Sequence, residues 1–220
     1  MLAAGSGERL GVGSPKAFVP LGGRTILAHA VAAAAACPEV DLLVVTAPEG
    51  AEDLAHAVLE PFGAHAVVRG GASRQASVRA ALEVVPADAP TIVCHDAARA
   101  LASSALFSAV LRGLEGYDGC IPVVPVPDTV KRVKADEVLA TEPREELRLA
   151  QTPQAFVATA LRDAHARAEA ADLEFTDDAA ALEWAGYRVH AVPGEPWNLK
   201  ITTPEDLARA EADLLEGRHG

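Results

Sequence analysis

The chain has 220 residues, half of them apolar and only 4% aromatic, and a formal net charge of −12 at pH 7. This length suits one domain with an ample aliphatic core. The negative charge excludes a general nucleic-acid binder, because such proteins neutralise phosphates with Lys and Arg. No apolar run is long enough to cross a membrane.

The cysteines Cys37, Cys94 and Cys120 are odd in number and form no C-x-x-C pair. This pattern indicates neither a disulfide framework nor a zinc site. No basic region followed by an apolar core occurs near residue 1, so no secretory signal is predicted. We expect reduced, buried thiols in a cytoplasmic protein.

The chain opens with a glycine-rich loop, residues 2–16, that also carries Arg9 and Lys16. Glycines let the main chain lie against a ligand, and successive backbone N–H groups can cradle an anion. The spacing differs from a dinucleotide fingerprint, because Leu10 takes the third glycine position, and from a P-loop, because Ala17 follows the lysine. We interpret the loop as a site for a nucleoside triphosphate. The alternative is a flexible surface loop.

Few apolar residues precede this loop, so either the first strand is unusually short or the start lies several residues late. Further along, strand patterns and helix patterns alternate, which predicts an α/β fold with a mostly parallel sheet. The predicted strands are residues 41–46, 65–68, 91–94, 118–125 and 187–192. The predicted helices are residues 25–37, 49–60, 73–85, 103–114, 155–171 and 177–185, and a last one capped at Thr203.

The alternation breaks between residues 128 and 151. Two polar segments, residues 129–133 and 137–141, flank a short turn and predict a β-hairpin with little to bury. Because an isolated hairpin is marginal in water, we expect this arm to pack on a partner subunit.

Residues 3–10 (AAGSGERL), followed by Ser14-Pro15-Lys16, resemble the A-A-G-x-G-x-R-[ML]…P-K signature of the cytidylyltransferases of the non-mevalonate isoprenoid pathway. These enzymes join 2-C-methyl-D-erythritol 4-phosphate to CTP. The resemblance extends to about residue 208, and Ala100 departs from it where the family has proline. Further family-like motifs lie at residues 70–77 (GGASRQAS), 95–99 (HDAAR), 128–131 (DTVK), 144–156 (R…QTPQAF), 176–179 (TDDA) and 198–206 (NLKITTPED).

The resemblance implies a Rossmann-like nucleotidyltransferase fold, a three-layer sandwich with a protruding β-arm. It implies one domain over residues 1–220, with the arm at residues 128–150 forming a homodimer. CTP is the expected co-substrate, and Mg²⁺ or another divalent cation the expected cofactor. A fused cyclase, known in some relatives, is not expected, because the chain ends soon after the family's last helix.

The resemblance also implies a role for particular residues. The cations expected to act in catalysis are Arg9, Lys16, Lys200 and, from the neighbouring subunit, Arg144. The residues expected to contact CTP are Ala3, Ala4, Gly5, Gly7, Gly71, Arg74, Ser77 and Asp96, of which Asp96 would also hold the metal. The residues expected to contact the acceptor are Asp96, Arg99, Thr129, Arg144, Thr152, Thr176 and Lys200.

Several readings stay open beside these. Asp96 and Arg99 can be a simple surface pair, residues 70–77 an ordinary turn before a helix, and Thr176 part of a helix cap. We expect Lys200 on a short strand that points it at the phosphates. At the level of function, the same machinery can serve another polyol phosphate such as ribitol 5-phosphate, or the chain can be a non-catalytic nucleotide-binding module.

Overall fold

The computed structural model describes residues 1–5, 7–11, 13–63 and 65–217. Strands form where apolar runs are bounded by Gly, Pro or polar turns. They are β1 Pro20–Leu21, β2 Arg24–Thr25, β3 Leu43–Ala47, β4 His65–Arg69, β5 Thr91–Cys94, β6 Gly119–Pro125, β7 Lys131–Lys134, β8 Glu137–Thr141, β9 Arg148–Ala150, β10 Gln154–Val157 and β11 Val189–Pro193.

Several helices begin at a side chain that caps a free backbone amide. Thr25 accepts from the Ala28 amide at 3.1 Å, and Thr203 forms a reciprocal capping box with Asp206. No helix in the described ranges is both long and apolar enough to cross a membrane. The α-helices are α1 Ile26–Ala35, α2 Glu52–Leu59, α3 Arg74–Leu82, α4 Ser104–Arg112, α5 Ala158–Ala170, α6 Asp178–Trp184 and α7 Pro204–Leu215, and 3₁₀ turns lie at Glu8–Leu10, Lys16–Phe18, Glu60–Phe62 and Arg144–Glu146.

Most strands of the central sheet run in the same direction, as predicted, whereas β9 and β10 run the opposite way. β3 pairs in parallel with β4, and β6 pairs in parallel with β11. Leu2 joins the two halves through isolated parallel bridges to Thr46 and Asp96. β10 lies antiparallel between β5 and β6, and β9 pairs antiparallel with the far end of β6.

Helices cover both faces of this sheet. One face carries α1, α2 and α4, which bury Leu27, Leu59 and Phe107. The other face carries α3, α5 and α6, which bury Leu161 and Leu182. Two separate aliphatic cores therefore sandwich the sheet, and the three-layer α/β prediction is confirmed.

One strand was predicted as helix. Residues 155–157 belong to β10, and α5 begins only at Ala158. Ala155 packs with the α4 side of the sheet while Phe156, fully buried, packs with the α5 side. The sequence alone does not distinguish this alternation over four residues from the first turn of an Ala-rich helix. The helix predicted over residues 155–171 is therefore wrong at residues 155–157.

The predicted hairpin is present as β7 and β8, joined at Ala135, whose φ is +50°. Every residue of β7, β8 and β9 is exposed. Val133, Val138 and Leu149 are each more than half exposed. The arm therefore presents apolar side chains that nothing in the described chain covers.

A cavity of about 700 Å³ lies between β3 and β5, beside Met1. The Met1 ammonium donates to the Val44 carbonyl at 2.8 Å, and burial lowers the pKa of this ammonium. Among the described residues, Leu2 forms isolated parallel bridges to Thr46 in β3 and to Asp96 just after β5. In the part of the chain that the structure describes, no strand lies between β3 and β5 along this cavity.

Candidate active site

The glycine-rich loop is anchored at the carboxyl edge of the sheet. The Leu2 amide donates to the His95 carbonyl at 2.7 Å, and the Ala3 amide donates to the Thr46 carbonyl at 3.0 Å. Thr46 lies in β3 and His95 directly follows β5. The loop therefore starts between the ends of two parallel strands, which is where open α/β sheets bind ligands.

Glycines let two turns close around this edge. Gly7 has φ +74°, and a Cβ on it would lie 2.8 Å from the Lys16 Cβ. Gly71 donates its N–H to Ser77 Oγ at 3.1 Å, and a Cβ on it would lie 2.5 Å from the Ala76 Cβ. Only residues without a side chain fit both positions.

A cavity of about 370 Å³ opens between the loop, the start of α3 and the segment after β5. It brings together residues that the motifs place far apart in the chain. The predicted ligand contacts that line it are Ala3, Ala4, Gly5, Lys16, Gly71, Arg74, Ser77, Asp96 and Lys200.

Asp96 is the acidic centre of this cavity. Arg74 Nε donates to its Oδ1 at 3.2 Å, and Lys200 Nζ donates to its Oδ2 at 2.7 Å. Burial works to raise the pKa of Asp96, but the charges of Arg74 and Lys200 prevail and hold it well below its usual range. Asp96 is therefore an ionised carboxylate near neutral pH, and not a simple surface pair with Arg99.

Lys16 adds a third positive charge to the cavity wall. Burial lowers its pKa, and the positive charges of Lys200 and Arg9 lower it further. A lysine whose ammonium is disfavoured by like charges gains most from an anion placed beside it. The cavity is therefore suited to bind polyphosphate.

His95 and Thr152 fix the backbone at Asp96. Thr152 Oγ1 accepts from the Asp96 amide at 3.0 Å and lies 2.9 Å from His95 Nδ1. Burial lowers the pKa of His95 to about 3, so its ring is neutral. Because the Arg99 carbonyl 3.2 Å from Nε2 can only accept, Nε2 carries the proton and Nδ1 accepts from the Thr152 hydroxyl. Thr152, which was predicted to contact the acceptor, is buried and holds the backbone at Asp96 in place.

Arg99 ties three segments together. Its Nη1 donates to the Asn198 carbonyl at 2.8 Å, and its Nη2 donates to the Ala150 carbonyl at 3.1 Å. Lys200 follows Asn198 closely in an irregular segment rather than on the short strand that was predicted. The Ile201 amide donates to the Ala98 carbonyl at 2.8 Å, so the segment is held by the turn after β5 instead of by a sheet.

The remaining predicted contacts lie outside the cavity lining. Arg9, Thr129 and Thr176 are exposed, and the helix cap beside Thr176 is Asp177. Arg144 lies on the arm, where its Nη1 donates to the Pro127 carbonyl at 3.0 Å. The described chain gathers most of the predicted nucleotide contacts around this cavity and leaves Arg144 apart from it.

Asp178 and His165 are polar, buried and linked to the cavity, although neither is among the predicted site residues. Asp178 Oδ2 accepts from Arg74 Nη2 at 2.8 Å, and Asp178 Oδ1 lies 3.0 Å from His165 Nε2. Two consecutive acids at a helix start normally face solvent. Because of that expectation Asp178 was not predicted as a site residue, although it belongs to the same motif as Thr176.

The sequence of this chain matches the family model described as 2-C-methyl-D-erythritol 4-phosphate cytidylyltransferase over residues 1–216. The chain belongs to this family. It is 47% identical to the 2-C-methyl-D-erythritol 4-phosphate cytidylyltransferase of Rhodococcus jostii, over 99% of the chain and 94% of that relative. It is 43% identical to the bifunctional enzyme IspD/IspF of a Bradyrhizobium strain, but spans only 55% of that protein's length.

Solved structures agree with the fold. The cytidylyltransferase of the same name from Thermus thermophilus superposes with a TM-score of 0.80 at 39% identity, covering 96% of this chain and 95% of that one. The 4-diphosphocytidyl-2C-methyl-D-erythritol synthase of Anaerococcus prevotii gives a TM-score of 0.87 at 29% identity, covering 97% and 95%. The family consists of nucleotidyltransferases, and CTP is the co-substrate of cytidylyl transfer.

Proposed function

We propose that this chain transfers the cytidylyl group of CTP to 2-C-methyl-D-erythritol 4-phosphate through the cavity around Asp96. A phosphate oxygen of the acceptor forms a bond to the α-phosphorus of CTP. The bond from that phosphorus to the β-phosphate oxygen breaks, and its electron pair leaves with pyrophosphate. Because the attacking oxygen is already anionic, the reaction needs positioned positive charge rather than a general base.

The observation that carries the proposal is the clustering of Lys16, Lys200 and Asp96 against the glycine-rich loop. The loop and Gly71 would receive the nucleotide, and Lys16, with Arg9 at longer range, would stabilise the charge on the triphosphate. Lys200 would meet the acceptor phosphate. Preorganised charges of this kind are commonly the largest single contribution to catalysis.

A divalent cation fits this site in one way. Asp96 is ionised and faces the cavity, but no group of three or more His, Cys, Asp or Glu suited to a metal occurs among the described residues. Mg²⁺ commonly uses one or two carboxylates and takes its other ligands from water and substrate phosphates. Asp96 would therefore hold Mg²⁺ together with CTP, and the ion would neutralise charge on the phosphates.

The acceptor side would be completed by a second subunit. The exposed arm carries Arg144, which lies outside the cavity of its own chain, and uncovered apolar side chains such as Val133 and Leu149. In a symmetric dimer each arm would bury these side chains on its partner and bring Arg144 to the partner's acceptor phosphate. Thr129 and Thr176, both exposed, would line the same acceptor region. All three cysteines are free and buried, which suits a reducing cytosol.

The reaction is tested by pyrophosphate release from CTP and Mg²⁺ with methylerythritol 4-phosphate or ribitol 5-phosphate as acceptor. We expect turnover with methylerythritol 4-phosphate alone. Turnover with ribitol 5-phosphate alone would keep the mechanism and replace the substrate. CTP binding without pyrophosphate release from either would support a non-catalytic nucleotide-binding module.

Shared sites are tested by mixing two inactive variants. Co-expressed Arg144→Ala and Lys200→Ala subunits form mixed dimers in which one site has lost both residues and the other keeps both. Random pairing should then restore about a quarter of the activity of the unmutated dimer. If Arg144 serves its own subunit, no activity returns. Arg148→Ala is the matched control, because Arg148 is an exposed arm arginine whose bonds in the described part of the chain are to the carbonyls of Glu145 and Leu147.

A further inference from the structure

A buried polar chain runs from the second helical layer to the cavity. His165 in α5 contacts Asp178 at the start of α6, and Asp178 pairs with Arg74 at the start of α3. Arg74 in turn pairs with Asp96, which faces the cavity. The side chains of Asp178 and His165 are 1% and 3% exposed, so neither can touch a substrate directly.

The hydrogen bonds of this chain have a definite direction. Arg74 uses Nη2 for Asp178 at 2.8 Å and Nε for Asp96 at 3.2 Å, so one guanidinium spans both carboxylates. His165 Nδ1 has no partner in the described parts of the chain, whereas Nε2 lies 3.0 Å from Asp178. Because an ionised carboxylate can only accept, His165 Nε2 donates in this hydrogen bond. His165 thus fixes the carboxylate that fixes Arg74.

Stability alone is a weak reason for this arrangement. Burying ionised groups is costly, and well-packed apolar residues of similar volume are often as stable. Burial works to raise the pKa of Asp178, yet the hydrogen bond from His165 and the charge of Arg74 lower it below its ordinary value. The carboxylate is therefore kept ionised in the interior, where it can hold a cation in one orientation.

We propose that Asp178, held by His165, is a positioning residue for cytidylyl transfer, which orients Arg74 so that Arg74 fixes Asp96 at the cavity. This inference rests on the proposed function, because it takes Asp96 as a group that meets CTP and the acceptor. Arg74 serves here as a link between carboxylates. Its guanidinium is engaged on both sides and is not presented freely to the nucleotide.

The test compares Asp178→Asn with Asp177→Asn. Both remove one negative charge at the start of α6, and Asn still caps a helix at position 177. Within the described residues, Asp177 bonds to the Ala180 amide and to Gln154 and to nothing at the cavity, so its replacement should leave turnover near wild type. Asp178→Asn should lower kcat/KM for pyrophosphate release about 10- to 100-fold, as displacements near 1 Å do. Added to Asp96→Asn, it should cause little further loss.

A second measurement does not depend on turnover. The Nε–H signal of Arg74 in ¹H–¹⁵N spectra, assigned by its loss in Arg74→Lys, should exchange faster with water in Asp178→Asn but not in Asp177→Asn. Equal kcat/KM and equal exchange in the two variants would overturn the inference, even if their melting temperatures differ. Wild-type protein without turnover would instead refute the proposed function. If Asp178→Asn does not fold, His165→Leu should show the same effects, and unchanged kcat/KM and exchange there would also overturn it.

Discussion

Replacing Gly71 by alanine tests whether the close approach of this turn to α3 shapes the nucleotide pocket. Gly71 lines the cavity, and the added Cβ would lie 2.5 Å from the Ala76 Cβ and 2.9 Å from the Ala76 carbonyl carbon. Carbon atoms pack at roughly 3.5 Å or more. The turn or the first turn of α3 must therefore move by about 1 Å, and the hydrogen bond from the Gly71 amide to Ser77 lengthens.

Overpacking of this size costs about 1–3 kcal/mol, which for a chain of this length lowers Tm by roughly 2–12 °C. A shift of about 1 Å beside the nucleotide should also reduce kcat/KM for CTP by up to about 100-fold. Gly119→Ala is the control, because its Cβ would lie 2.9 Å from Phe156 in the core and away from the cavity. We expect both variants to melt earlier and only Gly71→Ala to lose CTP efficiency, measured by pyrophosphate release. Equal CTP kcat/KM in the two variants would refute the reasoning.

Two further predictions concern stability. The pKa of Asp96 is lowered in the fold, so the ionised carboxylate adds to the free energy of unfolding above the unfolded pKa near 4, and this contribution is lost as pH falls through the folded pKa. In urea titrations the stability advantage of wild type over Asp96→Asn should therefore shrink below about pH 4. A difference that stays constant with pH would contradict this prediction. Fusing five extended apolar residues before Met1 should fill the cavity between β3 and β5 and raise Tm by several degrees, since each buried side chain contributes about 1.5–3 kcal/mol against about 1–2 kcal/mol for ordering each residue. A Gly-Ser extension of equal length should not, and equal effects of the two would contradict the second prediction.

Most of the fold could be predicted because its strands and helices carry local signals. Thr25 caps α1 and Thr203 caps α7, as the sequence indicates. β10 could not be predicted, because its identity depends on long-range pairing with β5 and β6 rather than on its four residues. The same holds for Lys200, whose segment is held by a bond from Ile201 to Ala98 and not by a sheet.

Individual residues of the site could be predicted from the sequence, but the contacts between them could not. The motifs indicated Asp96, Lys200 and Arg74, and the fold gathers all three at one cavity. The motifs could not show that Thr152 would face the Asp96 amide, because this bond joins positions 56 residues apart. They could not reveal Asp178 either, because burial depends on how α6 packs, not on its cap sequence.

Because Arg74 contacts two carboxylates, the cations of the site differ in how freely they can bind phosphate. A chain of net charge −12 must place its positive charges locally if it is to bind a triphosphate. Asp96 lies between Arg74 and Lys200 and offsets the repulsion between these two like charges. The guanidinium of Arg74 donates hydrogen bonds to both Asp96 and Asp178. Lys200 donates one of its three N–H groups to Asp96, so on the proposed function Lys200 and Lys16 are the cavity-lining cations left to meet phosphate.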